Sequence, residues 1–288
     1  TGNAGGVYTG LSAGSYTVRV TDSNGCIATT TTITLSNPVA VGVTASKTDL
    51  LCSGDTNGTV TGVGTGGTGV LVYDLETGAG AAVANVTGDA SGVYTGLVAG
   101  TYRVRVTDVN SCTTVSSNVV IATPTALTAS TTDSEYNGDD ISCNGENDGY
   151  IEVTAAGGTG NYTFTLGGTS AAVQTQPGAV YRFNNLVAGA YTIDVADANA
   201  CTITTINVTL TEPVLLTASG SVTNLKNGAA VSCFGSSDGE ITAVGSNGSG
   251  GYTYVLNEDL GNTTGNAGGV YTGLSAGSYT VRVTDSNG

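Results

Sequence analysis

Histidine, tryptophan and methionine are absent from this 288-residue sequence, and phenylalanine occurs only three times. A chain without histidine has neither the usual catalytic triads nor most transition-metal sites. Basic residues are also scarce: seven Lys and Arg stand against 22 Asp and Glu, and the net charge of −15 repels the phosphates of nucleic acids. No apolar run approaches the roughly 18 residues that indicate a membrane span. The composition therefore disfavours an enzyme, a nucleic-acid-binding protein and a membrane-spanning chain.

Glycine and β-branched residues are what the sequence has in abundance. It contains 45 glycines, and threonine and valine dominate the remainder. β-Branched side chains favour pleated, half-buried strands. No stretch has the apolar spacing of a long amphipathic helix. We therefore predict an all-β protein.

The chain ends with the letters with which it begins. TGNAGGVYTGLSAGSYTVRVTDSNG stands at residues 1–25 and again, unchanged, at 264–288, so the spacing is 263 residues. Identity at turn and surface positions, where packing dictates little, indicates a periodic parent sequence. We expect the chain to be one period of a longer array with a short overlap.

A shorter repeat lies inside the long one. LSAGSYTVRVTDSNGC at 11–26 returns as LVAGTYRVRVTDVNSC at 97–112 and as LVAGAYTIDVADANAC at 186–201. A proline follows each copy, and because proline cannot continue a central strand, joints are predicted at Pro38, Pro124 and Pro213. The resulting unit size suits β-sandwiches of about 100 residues better than solenoid repeats of roughly 20–45. The predicted domains are 1–38 (the C-terminal part of a repeat), 39–124 and 125–213 (complete repeats) and 214–288 (a truncated repeat).

The second complete repeat shows the clearest strand pattern. Alternation places Ile151 and Val153 on one face of a strand, and Glu152 and Thr154 on the other. The same alternation predicts inward-facing Tyr162, Phe164, Leu166, Tyr191, Ile193 and Val195. The predicted strands are 126–130, 150–155, 161–166, 179–183, 190–195 and 202–210. Short alternating strands between Gly, Asn and Asp turns indicate immunoglobulin-like antiparallel sandwiches, arranged in tandem as an extended filament.

The motif L-x-A-G-x-Y places a tyrosine at the start of a strand, just after a tight turn. In immunoglobulin-like sandwiches a tyrosine at this position forms a tyrosine corner, in which the hydroxyl bonds to the backbone across the turn. The four predicted corners are Tyr16, Tyr102, Tyr191 and Tyr279. Their role is architectural, and no residue of the chain is predicted to be catalytic.

The six cysteines fall into two classes by position. Cys26, Cys112 and Cys201 follow the last hairpin of a repeat, while Cys52, Cys143 and Cys233 begin a C-x-G-x-x-[DN]-G turn. Regular placement in a chain with small cores predicts disulfides, formed in an oxidising, extracellular setting. A zinc site is disfavoured because the chain has no C-x-x-C pair and no histidine.

Two disulfide pairing schemes are open, and free thiols are the third alternative. Within a domain the candidate pairs are Cys52–Cys112 and Cys143–Cys201, with the partners of Cys26 and Cys233 outside the chain. In a standard sandwich, however, the two cysteine-bearing loops lie at opposite poles, ~25 Å apart, whereas a disulfide needs Cα atoms within about 7 Å. Bonds between successive domains would instead join Cys52 to Cys201, and Cys143 to the residue at position 289.

Calcium is the one ligand hypothesis that the sequence supports. The loop TTDSEYNGDD at 131–140 carries several carboxylates close to a predicted joint, and Ca²⁺ prefers such hard oxygen ligands. The candidate ligands are Asp133, Glu135, Asp139 and Asp140. The alternative is a solvated acidic loop. Because the corresponding loops of the other repeats contain Lys47 and Lys226, an ion at every joint is not expected, and no other cofactor is predicted.

Two stretches of the second complete repeat resemble a known family. SCNGENDGYIEVTAAGGTGNYTFTL (142–166) and LVAGAYTIDVADANACTITTINVTLTEP (186–213) are similar to the SprB repeat of Bacteroidota surface proteins. This resemblance implies export to the cell surface through the type IX secretion system and a role in adhesion. In gliding bacteria it also implies movement along the cell by a membrane motor.

These observations together predict a filamentous, repetitive adhesin at the cell surface. Its partners would be a surface polysaccharide or substratum, other copies along the array and, by the family resemblance, the gliding or secretion machinery. The alternative is a purely structural stalk or sheath spacer whose binding activity lies elsewhere. Repeated clusters of exposed aromatic residues would favour adhesion, but the sequence does not place Tyr73, Tyr136 or Tyr181 inside or outside.

Overall fold

The computed structural model describes residues 5–168, 172–176 and 178–288, and these form strands and turns without a helix. No helix among them is therefore available to cross a lipid bilayer. The all-β prediction is confirmed. Two compact units make up the chain, Thr1–Thr123 and Pro124–Gly288. The first four residues of the repeated stretch 1–25 lie outside the described residues.

The first unit opens with four short strands in two antiparallel pairs. They are β1 (Gly14–Tyr16), β2 (Arg19–Thr21), β3 (Ile27–Thr29) and β4 (Ile33–Leu35), with β1 paired to β4 and β2 to β3. Leu11 and Val20 are exposed, whereas their counterparts in the next copy of the motif, Leu97 and Val106, are buried. The apolar side chains of this motif are thus buried only where a second sheet packs against their strands.

The rest of the first unit is a seven-stranded sandwich. Its strands are β5 (Gly42–Thr48), β6 (Gly58–Thr65), β7 (Val72–Thr77), β8 (Val93–Leu97), β9 (Gly100–Thr107), β10 (Thr113–Val115) and β11 (Val119–Ile121). Strands β5, β6 and β8 form one sheet, and β7, β9, β10 and β11 form the other. All the pairings are antiparallel. Since β10 and β11 both pair with β9, they act as one interrupted edge strand.

One apolar core lies between these two sheets. Val60 from β6, Leu75 from β7, Tyr94 from β8 and Val104 from β9 are all buried and contact one another through a single cluster. Alternate residues of β9 point into this core, because successive side chains of a strand face opposite sides of its sheet. Each fully buried side chain of this size contributes roughly 1.5–3 kcal/mol, so the core is the main source of the sandwich's stability.

The second unit begins with a sandwich of the same kind. Its strands are β12 (Thr128–Asp133), β13 (Gly149–Ala156), β14 (Tyr162–Gly168), β15 (Ala172–Gln176), β16 (Val180–Leu186), β17 (Gly189–Ala196) and β18 (Ile206–Leu210). The two sheets are β12-β13-β16 and β15-β14-β17-β18. Three strands facing four, with a tyrosine at the start of β17, make this an immunoglobulin-like sandwich.

The inward-facing residues predicted for this sandwich are confirmed. All eight of them are buried in one cluster: Ile151, Val153, Tyr162, Phe164, Leu166, Tyr191, Ile193 and Val195. The predicted strand bounds are less accurate. Strand β12 starts two residues later than the predicted 126–130 and extends to Asp133, because it pairs along β13 as far as Ile151. Strand β15, an edge strand on β14, is not predicted at all, since its stretch has little alternation.

The second unit continues with five strands and a smaller core. They are β19 (Thr217–Thr223), β20 (Gly239–Ser246), β21 (Thr253–Leu256), β22 (Val270–Leu274) and β23 (Val281–Thr284). Strands β19, β20 and β22 form one sheet and β21 pairs with β23. Tyr254, Leu256 and Tyr271 are buried between them. Within the described residues, the division of the chain into four repeats stays a prediction.

Each of the four motif tyrosines makes the same hydrogen bond. Its hydroxyl donates to the backbone carbonyl four residues upstream, at 2.7 Å for Tyr16, 3.2 Å for Tyr102, 2.8 Å for Tyr191 and 3.0 Å for Tyr279. This contact is the one that defines a tyrosine corner. It ties the turn before the strand to the strand itself, so the hydroxyl serves the fold.

Replacing Tyr191 by phenylalanine is expected to lower the free energy of unfolding by about 1 kcal/mol, the usual net value of one buried hydrogen bond. The ring stays, so the core volume does not change, and the Val187 carbonyl loses its donor. Urea unfolding measures the difference. Tyr181→Phe is the matched control, because Tyr181 packs its ring on the same core between Phe164 and Phe183. Equal losses in the two variants would contradict the role given to the Tyr191 hydroxyl.

Candidate functional site at the joint between repeats

The C-x-G-x-x-[DN]-G turn is a compact loop at one pole of each sandwich. In the second unit Asp148 Oδ1 accepts a hydrogen bond from the N–H of Ser142, the residue before Cys143, at 3.1 Å. Gly149 then starts β13 where a Cβ would lie 2.5 Å from Ile141 Cδ1 and 3.0 Å from the Leu186 carbonyl oxygen, so a side chain at this position would displace its neighbours. The same hydrogen bond recurs from Leu51 to Asn57 and from Ser232 to Asp238. The turn therefore holds the residue before the cysteine in one position.

A second turn holds the other class of cysteine. The buried carboxylate of Asp197 accepts hydrogen bonds from the N–H groups of Asn199 and Cys201, both at 2.9 Å, and from that of Thr159 at 2.8 Å. It thereby joins the last hairpin to the G-G-T-G turn between β13 and β14. Asp22, Asp108 and Asp285 accept the N–H two residues on in the other copies. Asp22, Asp108 and Asp197 also accept the N–H of the cysteine four residues on, so each of them fixes the backbone of its cysteine.

The Asp108 carboxylate makes the stability of the first unit sensitive to acid. The hydrogen bond from the Cys112 N–H, aided by that from Thr68, holds the pKa of Asp108 below its ordinary value. A group whose pKa is lowered by folding stabilises the fold above its unfolded pKa of about 3.9 and loses this contribution below it. We expect the melting temperature to fall as the pH decreases from 5 towards ~2, and to fall less in Asp108→Asn. The control is Asp74→Asn, because Asp74 is exposed. If the melting temperature of Asp108→Asn falls with pH as steeply as that of the unaltered chain, Asp108 does not cause the sensitivity to acid.

Within the second unit, side chains of its first sandwich bond to the last turn of the chain. The Asn287 side-chain amide donates to the carbonyl oxygen of Ser142 at 2.7 Å. From the other side, the Asn137 amide donates to Ser286 Oγ at 3.1 Å and to Asn287 Oδ1. Asn137 and Gly138 both have positive φ, 53° and 101°, as in the type I′ turn that Asn-Gly favours. This tight turn projects Asn137 towards the next repeat.

The linker between the two sandwiches is held by the same C-x-G turn. Asn144 donates through its side-chain amide to the carbonyl oxygen of Pro213 at 3.1 Å, and the N–H of Gly145 donates to the Glu212 carboxylate at 2.7 Å. A cleft of about 320 Å³ lies beside these contacts, and Cys143, Arg282, Asp285 and Gly288 are among its lining residues. We call this region, formed by residues 137, 142–145, 212–213 and 285–288, the joint.

The structure shows which cysteines are oxidised. Cys52 and Cys201 are disulfide-bonded. Cys26, Cys112, Cys143 and Cys233 carry free thiols. The within-domain pairs Cys52–Cys112 and Cys143–Cys201 are therefore not formed. The scheme that pairs cysteines of successive domains stays a prediction.

In the acidic loop that was predicted to bind calcium, two carboxylates accept hydrogen bonds from nearby groups of the chain. Glu135 accepts the N–H of Gly138, and Asp140 accepts both the N–H and the hydroxyl of Thr211. In the described part of the chain, no three Asp, Glu or Cys side chains converge so that they could hold a metal ion. Asp133, Glu135, Asp139 and Asp140 are thus not brought together as a ligand set.

The three tyrosines that the sequence could not place are all half-buried. Tyr73 and Tyr181 pack against the cores of their sandwiches, and the Tyr136 hydroxyl lies 3.4 Å from the carbonyl oxygen of Asp148. Among the described residues the exposed aromatic side chains are Tyr8 and Phe234. They do not form a cluster repeated from one sandwich to the next.

The sequence matches one known family at two places. The profile of the SprB repeat matches residues 136–170 and 230–261. Both stretches therefore match the SprB repeat. In each match the SprB repeat spans the turn that begins with Cys143 or Cys233 and the strands that follow it. The first SprB repeat also starts with Tyr136 and Asn137, and so includes the turn that reaches across the joint.

The solved structures that match the chain share little sequence with it. Three N-terminal domains of the Hoc capsid protein of bacteriophage RB49 match at 13% identity, 76% and 74% coverage of the two chains and a TM-score of 0.35. Sidekick-1 immunoglobulin domains 1–5 match at 12% identity and a TM-score of 0.38, and the match covers 95% of this chain and 64% of the Sidekick-1 chain. A tetra-tandem repeat from the extending region of a large adhesion protein matches at 17% identity, 97% and 73% coverage and a TM-score of 0.25. No curated protein sequence matches the chain.

Sequence reasoning missed two residues that make the joint. In the sequence Asn137 lies in an acidic loop and Asn287 in a repeated motif, and neither position indicates a contact between repeats. Signals for both are present: Asn137 begins an Asn-Gly pair, and an asparagine follows the turn aspartate by two residues in all four copies, at Asn24, Asn110, Asn199 and Asn287. Asparagine is common at such positions because its side chain stabilises a turn by bonding to the nearby backbone. The sequence therefore gives no reason to expect a contact across the joint, and only the structure shows it.

Proposed function

We propose that this chain is a repetitive part of an adhesin outside the cell, and that its sandwiches act as a non-catalytic stalk between the cell and the adhesive part. The SprB repeats support a surface protein of this kind. The observation that carries the stalk role is the joint, where Asn137, Ser142 and Asn287 hydrogen-bond one repeat to the next. A stalk keeps a constant length and direction only if its successive domains are fixed to each other, and this joint supplies side-chain contacts for that.

The surface of the described residues also supports a stalk. The exposed aromatic residues, Tyr8 and Phe234, do not recur from repeat to repeat, whereas carbohydrate and protein interfaces are typically rich in aromatic anchors. The net charge of −15 keeps neighbouring chains apart and hydrated. Direct adhesion by the repeats remains the alternative outcome of the test, since many weak sites along an array bind firmly through multivalency.

The two matches to the SprB repeat support a more specific setting. We propose a Bacteroidota-type bacterium, export by type IX secretion, and contact with the gliding machinery as in the flavobacterial gliding adhesin. In that setting the array would be carried along the cell surface while its adhesive part holds the substratum.

Attachment of living cells tests the proposal. We expect a fluorescent Fab fragment against residues 39–288 to label intact cells. We also expect excess isolated 288-residue chain to leave attachment to glass or polysaccharide unchanged. Label that appears only after cells are broken would contradict a surface location. Loss of attachment with the isolated chain as competitor would show that the repeats themselves adhere and would overturn the stalk role.

The same Fab separates the gliding proposal from the stalk proposal. Label that travels along moving cells would support transport by a motor, and label that stays fixed on gliding cells would contradict it. A Fab against an unrelated surface protein is the control for membrane flow. Neither result bears on whether the repeats adhere, which the competition assay alone decides.

A further inference from the structure

We propose that residues 27–35 of a second copy of this chain add a strand to the last sheet of the second unit, so that copies join head to tail. We call these residues, which form β3 and β4, the donor segment. The groove that receives them is an open cleft of about 410 Å³ between strands β19 and β20 on one side and residues 277–281 on the other. Its apolar lining includes Val222, Ile241, Ala243, Tyr279 and Val281.

The motif G-x-Y pairs with a later strand in one register in three of its four copies. The pairs are Gly14–Tyr16 with Ile33–Leu35, Gly100–Tyr102 with Val119–Ile121, and Gly189–Tyr191 with Val208–Leu210. In each pair the glycine lies opposite the last residue of the later strand. In the described part of the chain, the fourth copy of the motif, at 277–279, has no strand beside it. The edge that the other copies cover is therefore open here.

The donor segment already pairs with this sequence in its own chain. Residues 12–25 and 275–288 are identical. Strand β4 can therefore bond to 277–279 in the register that it has with Gly14–Tyr16, and β3 to 282–284 in the register that it has with Arg19–Thr21. The exchange forms as many backbone hydrogen bonds as it breaks, so hydrogen bonding does not oppose it.

Burial of the donor segment favours the exchange. In its own chain 47% of Ile33 and 40% of Leu35 are exposed. The residues at the place of Leu35 in the two complete sandwiches, Ile121 and Leu210, are only 1% and 2% exposed. Because β4 faces no second sheet in its own chain, it gains a core only by moving to the groove. Removal of this apolar surface from water is the driving force.

Burial of the groove acts in the same direction. Ile241 on β20 is half-buried, whereas Ile151, at the same place on β13, is fully buried. In the complete sandwich the last strand also covers the start of β13, since a Cβ on Gly149 would lie 3.2 Å from Leu210 Cδ1. Leu35 would take the place of Leu210 beside Gly239, the first residue of β20.

A second copy, and not the same chain, is the source of the strand. Along one chain, two complete sandwiches stand between the donor segment and the groove. Residues 36–41 join the donor segment to the first of these sandwiches and span at most about 20 Å. A strand from a second copy has no such restraint. Since each chain has one donor segment and one groove, the contact is heterologous and extends from copy to copy.

Sedimentation velocity of the 288-residue chain tests the proposal, after refolding from urea at low and at high protein concentration. The free thiols are first blocked with iodoacetamide, so that disulfides do not link the chains. We expect monomers at low concentration, and dimers and longer assemblies at high concentration. A chain that stays monomeric at every concentration overturns the proposal.

Two neighbouring substitutions show whether the donor segment makes the contact. Leu35→Asp is expected to stay monomeric, because its carboxylate would have to enter the apolar groove. Thr34→Asp is the matched control and is expected to assemble like the unaltered chain, since its counterpart in the first sandwich, Val120, faces solvent. Both residues lie on the exposed strand β4, so neither change disturbs a sandwich core. Assembly of Leu35→Asp as readily as the unaltered chain overturns the proposal.

A pair of cysteines tests the register. Ser15 Oγ lies 3.5 Å from Thr34 Oγ1, and Ser278 is the counterpart of Ser15. After oxidation of Thr34→Cys/Ser278→Cys with oxidised glutathione, we expect a peptide pair that joins positions 34 and 278 in linked dimers and longer species. Ala28→Cys/Ser278→Cys is the control and should give no such pair, because Ala28 lies opposite Val20 and not Ser15. A 34–278 link found only within single chains, or no link, overturns the proposal.

Discussion

Replacing Asp197 by alanine is expected to lower the free energy of unfolding of the second unit by about 3 kcal/mol, because hydrogen bonds to a charged group contribute roughly 1.5–3 kcal/mol each and are not additive. The Asp197 carboxylate is buried and accepts three backbone N–H groups, those of Thr159, Asn199 and Cys201. Alanine leaves these three donors without that acceptor. The G-G-T-G turn and the last hairpin would then lose their link.

Urea unfolding of the 288-residue chain measures this loss, and Asp194→Ala is the matched control. Asp194 lies three residues earlier on β17 but is exposed, and it accepts one hydrogen bond, from the Thr205 hydroxyl. Its replacement is expected to change stability by less than about 0.5 kcal/mol, as is usual for surface positions. Similar losses in the two variants would show that Asp197 does not organise the turn.

Replacing Glu76 by alanine is expected to lower the free energy of unfolding of the first unit by about 2 kcal/mol, since it removes two charge-assisted hydrogen bonds and leaves two cations side by side. Glu76 on β7 is buried and accepts hydrogen bonds from Arg103 at 2.8 Å and Arg105 at 2.6 Å. Burial raises the pKa of Glu76, but the two guanidinium groups outweigh it and hold the pKa below its ordinary value. The carboxylate is therefore charged at neutral pH.

The second unit offers a matched control for Glu76. Glu152 on β13 pairs with Arg182 at 3.0 Å, and the side chains are 33% and 46% exposed. Exposed pairs contribute about 0–1 kcal/mol, so Glu152→Ala should cost less than half as much as Glu76→Ala. Raising the salt concentration should weaken the Glu152 pair more than the Glu76 pair, because buried charges are screened less. If both variants lose the same free energy of unfolding, burial does not strengthen the Glu76 ion pairs.

Much of the sandwich could be predicted because strand faces are decided locally. Alternation in 150–155, 161–166 and 190–195 identified the buried side chains, since neighbouring residues of a strand must point to opposite faces. Edge strands are harder to predict from the sequence. Strand β15 has little alternation and forms by pairing with β14, and β12 takes its length from β13. Their bounds depend on a partner that is distant in sequence.

The candidate site was predictable only in its parts. The cysteine-bearing turns stand out as repeated motifs, and the sequence left two pairing schemes open for them. The structure removed the within-domain scheme, because Cys112 and Cys143 carry free thiols. It also placed the acidic loop, whose carboxylates bind backbone groups and a hydroxyl nearby and do not converge on a common point.

The sequence by itself determined the periodicity, the all-β class, the inward faces of the strands and the positions of the four motif tyrosines, because each depends on spacing along the chain. Only the tertiary structure decided which groups meet at the joint. Asn137 and Asn287 lie 150 residues apart and make their contact only when two folded sandwiches are set end to end within the second unit. That arrangement results from packing and hydrogen bonding at the poles of the sandwiches. These contacts join residues that are distant in sequence, so no local sequence pattern predicts them.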